Sequence, residues 1–451
     1  MPHFSLVVIG SGSGNSVVPD DPAQGPVALI ESGAFGGTCI NRGCIPSKIL
    51  IHSAEVASQV RRAPQFGIGA EVTGVDWPAI RDRTFARTDR VAAAGRRGRA
   101  ESDTVTLIEG RARFTGRREL AVDNGTRLTA DRIVLATGGR PVVPPAIVES
   151  GVPYHTSDTV MRLDELPSSL VVVGGSYIAA ELASLFYGLG VRVSIVNQAG
   201  ALLENFDPEV SRRFTELVRK RVDVRLSANV TGARRRDGQI EVEIEDGPPA
   251  VGELLLVAAG RRPDTADLDL ERAGVRLRDD GRIEVDQYGR TTAEGIWSMG
   301  DASTPYPLKH VANAEARTLK HNLAHPGDLR PYRHDWVPSA VFSDPQIASV
   351  GAREQDLAGR RYVSALHEYA DVAYGWALQD TSGFCRLYAD PASGTLLGAH
   401  IMGYQAALLI QPLVQAGASG QRLDDLARNT YWIHPALSEV VENALLKLRL
   451  D

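Results

Sequence analysis

Two stretches of the chain share one pattern: an apolar run, a glycine-rich turn, and a second apolar run. Residues 4–9 form the first run, as a strand buried in a parallel sheet would. The turn Gly10-Ser11-Gly12-Ser13-Gly14-Asn15 comes next, and a second run at 27–30 ends at Glu31. That acid lies about 20 residues beyond the glycines, the spacing of a dinucleotide-binding fingerprint. The pattern recurs at 170–173, where Gly174-Gly175-Ser176-Tyr177-Ile178-Ala179-Ala180-Glu181 opens a helix and leads to a strand at 191–196. Residues 136–141 and 258–263 echo each other, each after an apolar run. Two such folds imply two dinucleotides, or one site that has decayed.

From residue 332 the texture changes. Residues 337–342, 383–388 and 395–402 read as strands, and 406–418 and 435–448 as helices, with no glycine fingerprint. The polar Pro/Gly segment 326–331 reads as a linker. The expected fold is therefore α/β, with two Rossmann-like dinucleotide-binding domains and a C-terminal α+β domain.

Composition narrows the function. A chain of 451 residues suggests about three domains. Apolar residues are 43% and charged residues 23%, which is ordinary for a soluble globular protein. No apolar run nears the ~18 residues of a membrane span. No basic segment precedes the first run, so no secretory signal and a cytoplasmic location are expected. Net charge is −6, and the arginines at 234–236 read as solvating a turn, so no nucleic-acid partner is expected. Lysine occurs only at 48, 220, 309, 320 and 447, the remaining basic residues being arginine, as in GC-rich genomes.

Three cysteines do not make a disulfide scaffold. Cys39 and Cys44 lie five apart, and Cys385 reads as a small buried hydrophobe. A close pair points to redox chemistry, metal binding or a structural role. A zinc site would lack its second cysteine pair, so no metal is expected. At the first turn, Asn15 stands at the third glycine position, which predicts a looser helix–strand approach. Pro19, Pro22 and Pro26 argue against a long first helix. Glu31 is placed to hold ribose hydroxyls.

The run Gly36-Gly37-Thr38-Cys39-Ile40-Asn41-Arg42-Gly43-Cys44-Ile45-Pro46-Ser47-Lys48 closely resembles the redox motif of the class I flavoprotein disulfide reductases. The resemblance covers the whole chain. It implies FAD on the first fingerprint, NADPH or NADH on the second, and a homodimer with an active site shared across the interface. It divides the chain into an FAD domain at 1–150 and 265–331, an NAD(P)H domain at 151–264, and a dimerisation domain at 332–451. By resemblance FAD is bound by Gly10, Gly12, Gly14, Glu31, Gly37, Thr38, Lys48, Thr137, Gly138 and Asp301. NAD(P)H is bound by Gly174, Gly175, Tyr177, Ile178, Glu181, Asn197 and Gly260. Lys48 and Glu181 are the pair near the flavin's reactive nitrogen, and Tyr177 is the aromatic gate over the nicotinamide. Cys44 is the flavin-proximal thiolate and Cys39 attacks the substrate disulfide. His434 and Glu439, in His434-Pro435-Ala436-Leu437-Ser438-Glu439, resemble the family's catalytic dyad. A histidine suits the proton needed by the leaving thiolate, and a carboxylate fixes its tautomer.

The disulfide can be narrowed. The last residues, 448–451, carry no cysteine pair, unlike mercuric and large thioredoxin reductases. No lysine or arginine precedes Arg42, while Asp20 and Asp21 do, so anionic glutathione disulfide is a poor fit. Residues 12–16, 154–162, 371–377 and 431–445 resemble the branch of the family that reduces mycothione, the uncharged disulfide of mycothiol. Tyr374 and Trp376 read as core aromatics rather than substrate contacts. Gln198 and Glu204 stand where NADPH-using relatives carry arginine, and Asn197 where NADH users carry an acid. Weak NADPH selectivity is therefore expected, with Ser176 adding a side chain at the second pyrophosphate turn. The alternatives are a dihydrolipoamide dehydrogenase and a flavin-binding redox sensor or scaffold with little turnover.

Overall fold

In the computed structural model, which describes residues 1–19 and 21–450, the first fingerprint sits in a parallel sheet. Asp20 thus lies outside the described residues. Strand β1 (His3–Ile9) pairs with β2 (Val27–Glu31) on one side and with Arg127–Leu135 on the other. Val105–Glu109 and Ile296–Ser298 complete the parallel layer. Val7, Ile9 and Ile30 pack on one face, and Leu6, Val8 and Leu29 on the other. Burial on both faces is why these strands are apolar runs rather than alternations. Each such side chain contributes roughly 1.5–3 kcal/mol of burial.

Two long helices cover the segment after β2: α1 (Cys44–Arg62) and α2 (Trp77–Ala100). The second fingerprint forms a separate parallel sheet. Its centre is β3 (Ser169–Val173), flanked by β4 (Arg192–Val196) and Leu254–Val257. Helix α3 (Tyr177–Gly188) comes directly after the β3 turn.

The repeat is visible at single residues. Gly10 has φ +107° and Gly174 has φ +126°. A Cβ on either would lie 2.3 Å from a carbonyl oxygen, that of Ala136 or Ala258 respectively. Each fingerprint's first glycine therefore packs on the alanine that opens its echo segment, and only glycine tolerates that backbone. The echo segments then pair with each other, Gly139–Pro141 antiparallel to Arg261–Pro263.

The two turns differ in the helix that each one opens. The first opens a five-residue 3-10 helix, Ser13–Val17, and no long helix. The looser approach expected at Asn15 does not occur. Gly14 takes the close contact one position earlier, where a Cβ would lie 2.7 Å from the Ala136 Cβ. Asn15 instead accepts from Arg99 of α2, at 2.8 Å on Oδ1.

Helix α4 (Lys309–Ala324) leads into the irregular 326–331 segment. The last part is a five-stranded antiparallel sheet ordered Ser339–Val341, Ile347–Gly351, Leu396–Met402, Phe384–Ala389, Val363–Glu368. Its first strand is shorter than the expected 337–342. The expected helix 406–418 is two helices, Ala406–Leu409 and Gln411–Ser419, because Pro412 can only open a helix here. The expected helix 435–448 is α5 (Ser438–Leu446). The arginines at 234–236 end a strand, Val230–Arg236, not a turn, and Arg234 pairs with Glu241 at 2.6 Å. Cys385 is fully buried.

Tyr374 and Trp376 are not core aromatics. Gly375 presses its backbone on Tyr369, where a Cβ would lie 1.7 Å from the Tyr369 oxygen. Its neighbours are turned outward, and Trp376 is 66% exposed. Among the described residues, no helix is long and apolar enough to cross a membrane, and no group of three or more His, Cys, Asp and Glu could hold a metal.

Candidate active site

A cleft of about 730 Å³ runs from the first glycine turn to the start of α3. Gly10, Gly12, Gly14, Glu31, Gly37, Thr38, Cys39, Cys44, Lys48, Thr137, Gly138 and Asp301 line it. So do Ser176, Tyr177, Ile178 and Glu181. Gly174, Gly175, Asn197 and Gly260 are not among its lining residues.

The cysteines are brought together by a tight turn. The short helix Gly37–Asn41 carries Cys39, and α1 begins at Cys44. Gly43 closes the turn on Thr38, where a Cβ would lie 2.9 Å from the carbonyl oxygen. Both thiols are free. The hydrogen bond from Cys39 holds Cys44 down to about 6, against the opposing effect of burial, with Lys48 adding to the fall. Its place at the head of a 19-residue helix acts in the same direction. Cys39, as the donor, is pushed up, and burial adds to that. The pair therefore holds one proton, on the Cys39 sulfur.

Lys48 lies one turn along α1 from Cys44. Its Nζ donates to both carboxylate oxygens of Glu181, at 2.7 and 2.9 Å. Glu181, on α3, is only 5% exposed and also accepts from the Phe342 N–H at 2.9 Å. The Lys48 ammonium sits 5.0 Å from the centre of the Phe342 ring. A buried carboxylate needs such partners to stay ionised. The pair is set by the crossing of α1 and α3 at Gly188, where a Cβ would lie 2.9 Å from the Ala54 Cβ.

The first turn forms a cradle of bare backbone. A Cβ on Gly37 would lie 2.8 Å from the Gly12 Cα. Glu31 Oε2 accepts from Ser11 N–H at 2.8 Å and Ser11 O–H at 2.6 Å, and Oε1 from Gly33 N–H at 2.8 Å. Burial raises the Asp301 carboxyl, and the Arg261 charge partly offsets this. The Gly300–Asp301 turn is held by Glu315, a residue that no sequence motif marks. Glu315 of α4 accepts the Gly300 N–H at 2.7 Å and meets His334 Nε2 at 2.7 Å.

At the second turn, Ser176 precedes α3 with φ −88°, which any residue adopts, and its hydroxyl makes no cap bond to the helix. Asn197 is buried and donates to the Ala201 oxygen at 2.8 Å. Gln198 and Glu204 are exposed. Arg42, Asp158 and Arg261 also line the cleft and were not anticipated. Asp158 lies 3.4 Å from Arg42 and 3.8 Å from Arg261.

His434 Nδ1 lies 2.7 Å from Glu439 Oε1, and Ala436 N–H donates to Oε2 at 3.1 Å. Burial opposes ionisation of Glu439, but these two bonds outweigh it and hold the carboxyl below its ordinary range. The imidazole is 72% exposed and lies outside the cleft. One chain alone does not bring it to the cysteines. Tyr431, Ile433 and Leu408 are exposed in the same C-terminal part.

This fold and cleft define a flavin-dependent disulfide oxidoreductase using a pyridine nucleotide. Residues 4–316 match the pyridine nucleotide-disulphide oxidoreductase family and residues 337–445 its dimerisation domain, and the chain belongs to that family. It is 46% identical to mycothione reductase from Mycobacterium tuberculosis, over 100% of both chains. It is 35% identical to dihydrolipoyl dehydrogenase from Haloferax volcanii, over 98% of this chain and 96% of the relative. The HOCl-induced flavoprotein disulfide reductase RclA from Escherichia coli superposes with a TM-score of 0.88 at 26% identity, over 98% of this chain and 100% of that one.

The family's cofactors are FAD and NAD(P)H. The first turn fits a dinucleotide: its glycine cradle would be filled by any Cβ, and the buried Thr137 hydroxyl has no protein partner.

Proposed function

We propose that the protein reduces mycothione to mycothiol with NADH or NADPH, as a cytoplasmic homodimer. The observation that carries the substrate is the 46% identity to mycothione reductase along the entire chain. In this reading 1–150 with 265–331 hold FAD, 151–264 hold NAD(P)H, and 332–451 pair the subunits.

The flavin, when bound, supplies two-electron exchange between nicotinamide and sulfur. The chain supplies the rest. Lys48, fixed by Glu181, keeps positive charge beside the Cys44 sulfur. Tyr177 screens the nicotinamide side of the cleft. His434 of the partner subunit takes the Cys39 proton, and Cys39 as thiolate attacks one sulfur of mycothione and forms a mixed disulfide, releasing mycothiol as a thiolate. His434 of the partner subunit protonates that leaving group, with Glu439 holding its tautomer. Cys44 then attacks Cys39, closing their disulfide and releasing the second mycothiol.

An anaerobic titration of the holoenzyme tests this: NADH or NADPH first, then mycothione or lipoamide, followed by absorbance. Mycothione should reoxidise the reduced enzyme and lipoamide should not. Discharge by lipoamide alone would favour the second reading, a dihydrolipoamide dehydrogenase, which the 35% identical relative supports. A flavin reduced by neither nucleotide would favour a redox sensor. With Gln198 and Glu204 in place of a phosphate clamp, any preference for NADPH should stay below about a hundredfold, roughly 2.7 kcal/mol.

A further inference from the structure

The first dinucleotide turn lacks the charge that such turns ordinarily draw from a helix. A bound diphosphate is stabilised by the N-terminal end of a helix several turns long. The second fingerprint has one, the 12-residue α3. The first has only the five-residue 3-10 helix Ser13–Val17. Few peptide dipoles align there, and the two negative charges of a diphosphate need a counter-charge from elsewhere.

Lys309 is placed to give it. It is the first residue of α4, in a chain whose basic residues are almost all arginine. Its Nζ donates to Ser13 Oγ at 2.8 Å, and Ser13 Oγ donates to Asn313 Oδ1 at 3.2 Å. Lys309 and Ser13 both line the cleft beside Gly12 and Gly14. An ammonium is a compact charge with three donors, and Ser13 takes one. Arg99 fixes the same turn through Asn15, at 2.8 Å to Oδ1 and 3.3 Å to the backbone oxygen.

We propose that Lys309 binds the diphosphate of FAD, replacing the missing helix end with a point charge supplied from α4, which packs on the same turn. The inference rests on the family's cofactor and not on the choice of disulfide. It also makes Ser13 a positioning residue, which holds the ammonium over the glycine turn.

The test is the FAD dissociation constant of the purified holoenzyme, read from flavin fluorescence on dilution across a salt series. Lys309→Met and Lys309→Gln should each weaken FAD binding by about tenfold or more at low salt. The gap to the wild type should shrink as salt rises, because the lost interaction is ionic. Lys309→Arg should recover most of the affinity. Circular dichroism separates loss of binding from loss of fold. A Gln variant as tight as the Arg variant would overturn the proposal, since charge would then be irrelevant. So would unchanged FAD affinity joined to a shifted pH for alkylation of the reduced cysteines, which would assign Lys309 to Cys39 instead.

Discussion

At the scale of single residues, the redox pair works because two equal thiols are made unequal. Cys44 gains a hydrogen bond, a helix head and the Lys48 charge, while Cys39 supplies the proton. Alkylation of the reduced protein by iodoacetamide should therefore rise through pH about 6 at Cys44, since the thiolate is the reactive form above that value. Lys48→Met should move that midpoint upward, because a cation favouring the thiolate is gone. His434→Ala should slow mycothione turnover by about 10²–10⁴-fold, the usual worth of a positioned acid–base group. It should leave flavin reduction by the nicotinamide cofactor unchanged, and rapid-mixing absorbance separates the two steps. Cys39, Cys44, Lys48 and Glu181 were legible because they lie inside short motifs whose spacing the chemistry fixes. Lys309, Glu315 and Asp158 were not, since each reaches the site from an element far away in sequence. The one visible hint for Lys309 was its scarcity.

At the scale of elements, the fingerprints were legible and their local consequences only in part. Prolines correctly denied the first turn a long helix. The tight contact at Gly14 was hidden, because the sequence does not reveal that a helix this short shifts its packing by one residue. Trp376 was misjudged for a related reason: Gly375 sets the direction of its neighbours only through contact with Tyr369. The crossing of α1 over α3 is the element-level feature that matters most for the site. Gly188→Val should destabilise the protein by about 1–3 kcal/mol through overpacking on Ala54. It should also separate Lys48 from Glu181. Thermal unfolding measures the first effect, and the Cys44 alkylation profile, shifted upward, reports the second.

At the scale of the whole molecule, the chain carries a formed but stranded dyad. His434 and Glu439 are hydrogen-bonded, yet they stand outside the cleft beside exposed Ile433 and Tyr431. In the proposed homodimer a second copy would bring them to the cysteines. Ile433→Glu should shift the protein toward monomer on size-exclusion chromatography with light scattering. The same variant should lose disulfide reduction while still letting NADH or NADPH reduce the flavin. A monomeric variant with full turnover would refute the shared site. The three-part organisation was legible from repeats and texture. The expectation that a second copy meets His434 came from the family resemblance and not from motif spacing, which carries no information on which copy completes a site.

The pairing of Gly139–Pro141 with Arg261–Pro263 has a consequence for how such a molecule can change. The chain leaves the flavin unit and returns to it through two adjacent strands. The chain between them enters and leaves through that one pair, so its ends are already neighbours and need no rearrangement to be rejoined. In the proposed reading, this segment is the nicotinamide unit, and its joined ends suit it to exchange as a block. A donor unit with a different nucleotide preference, spliced at residues 141 and 261, can be fitted without redrawing the flavin cradle. The contacts to be carried over with it include the face of α3 that holds Glu181 against Lys48 and the Leu163 oxygen that takes the Trp77 N–H.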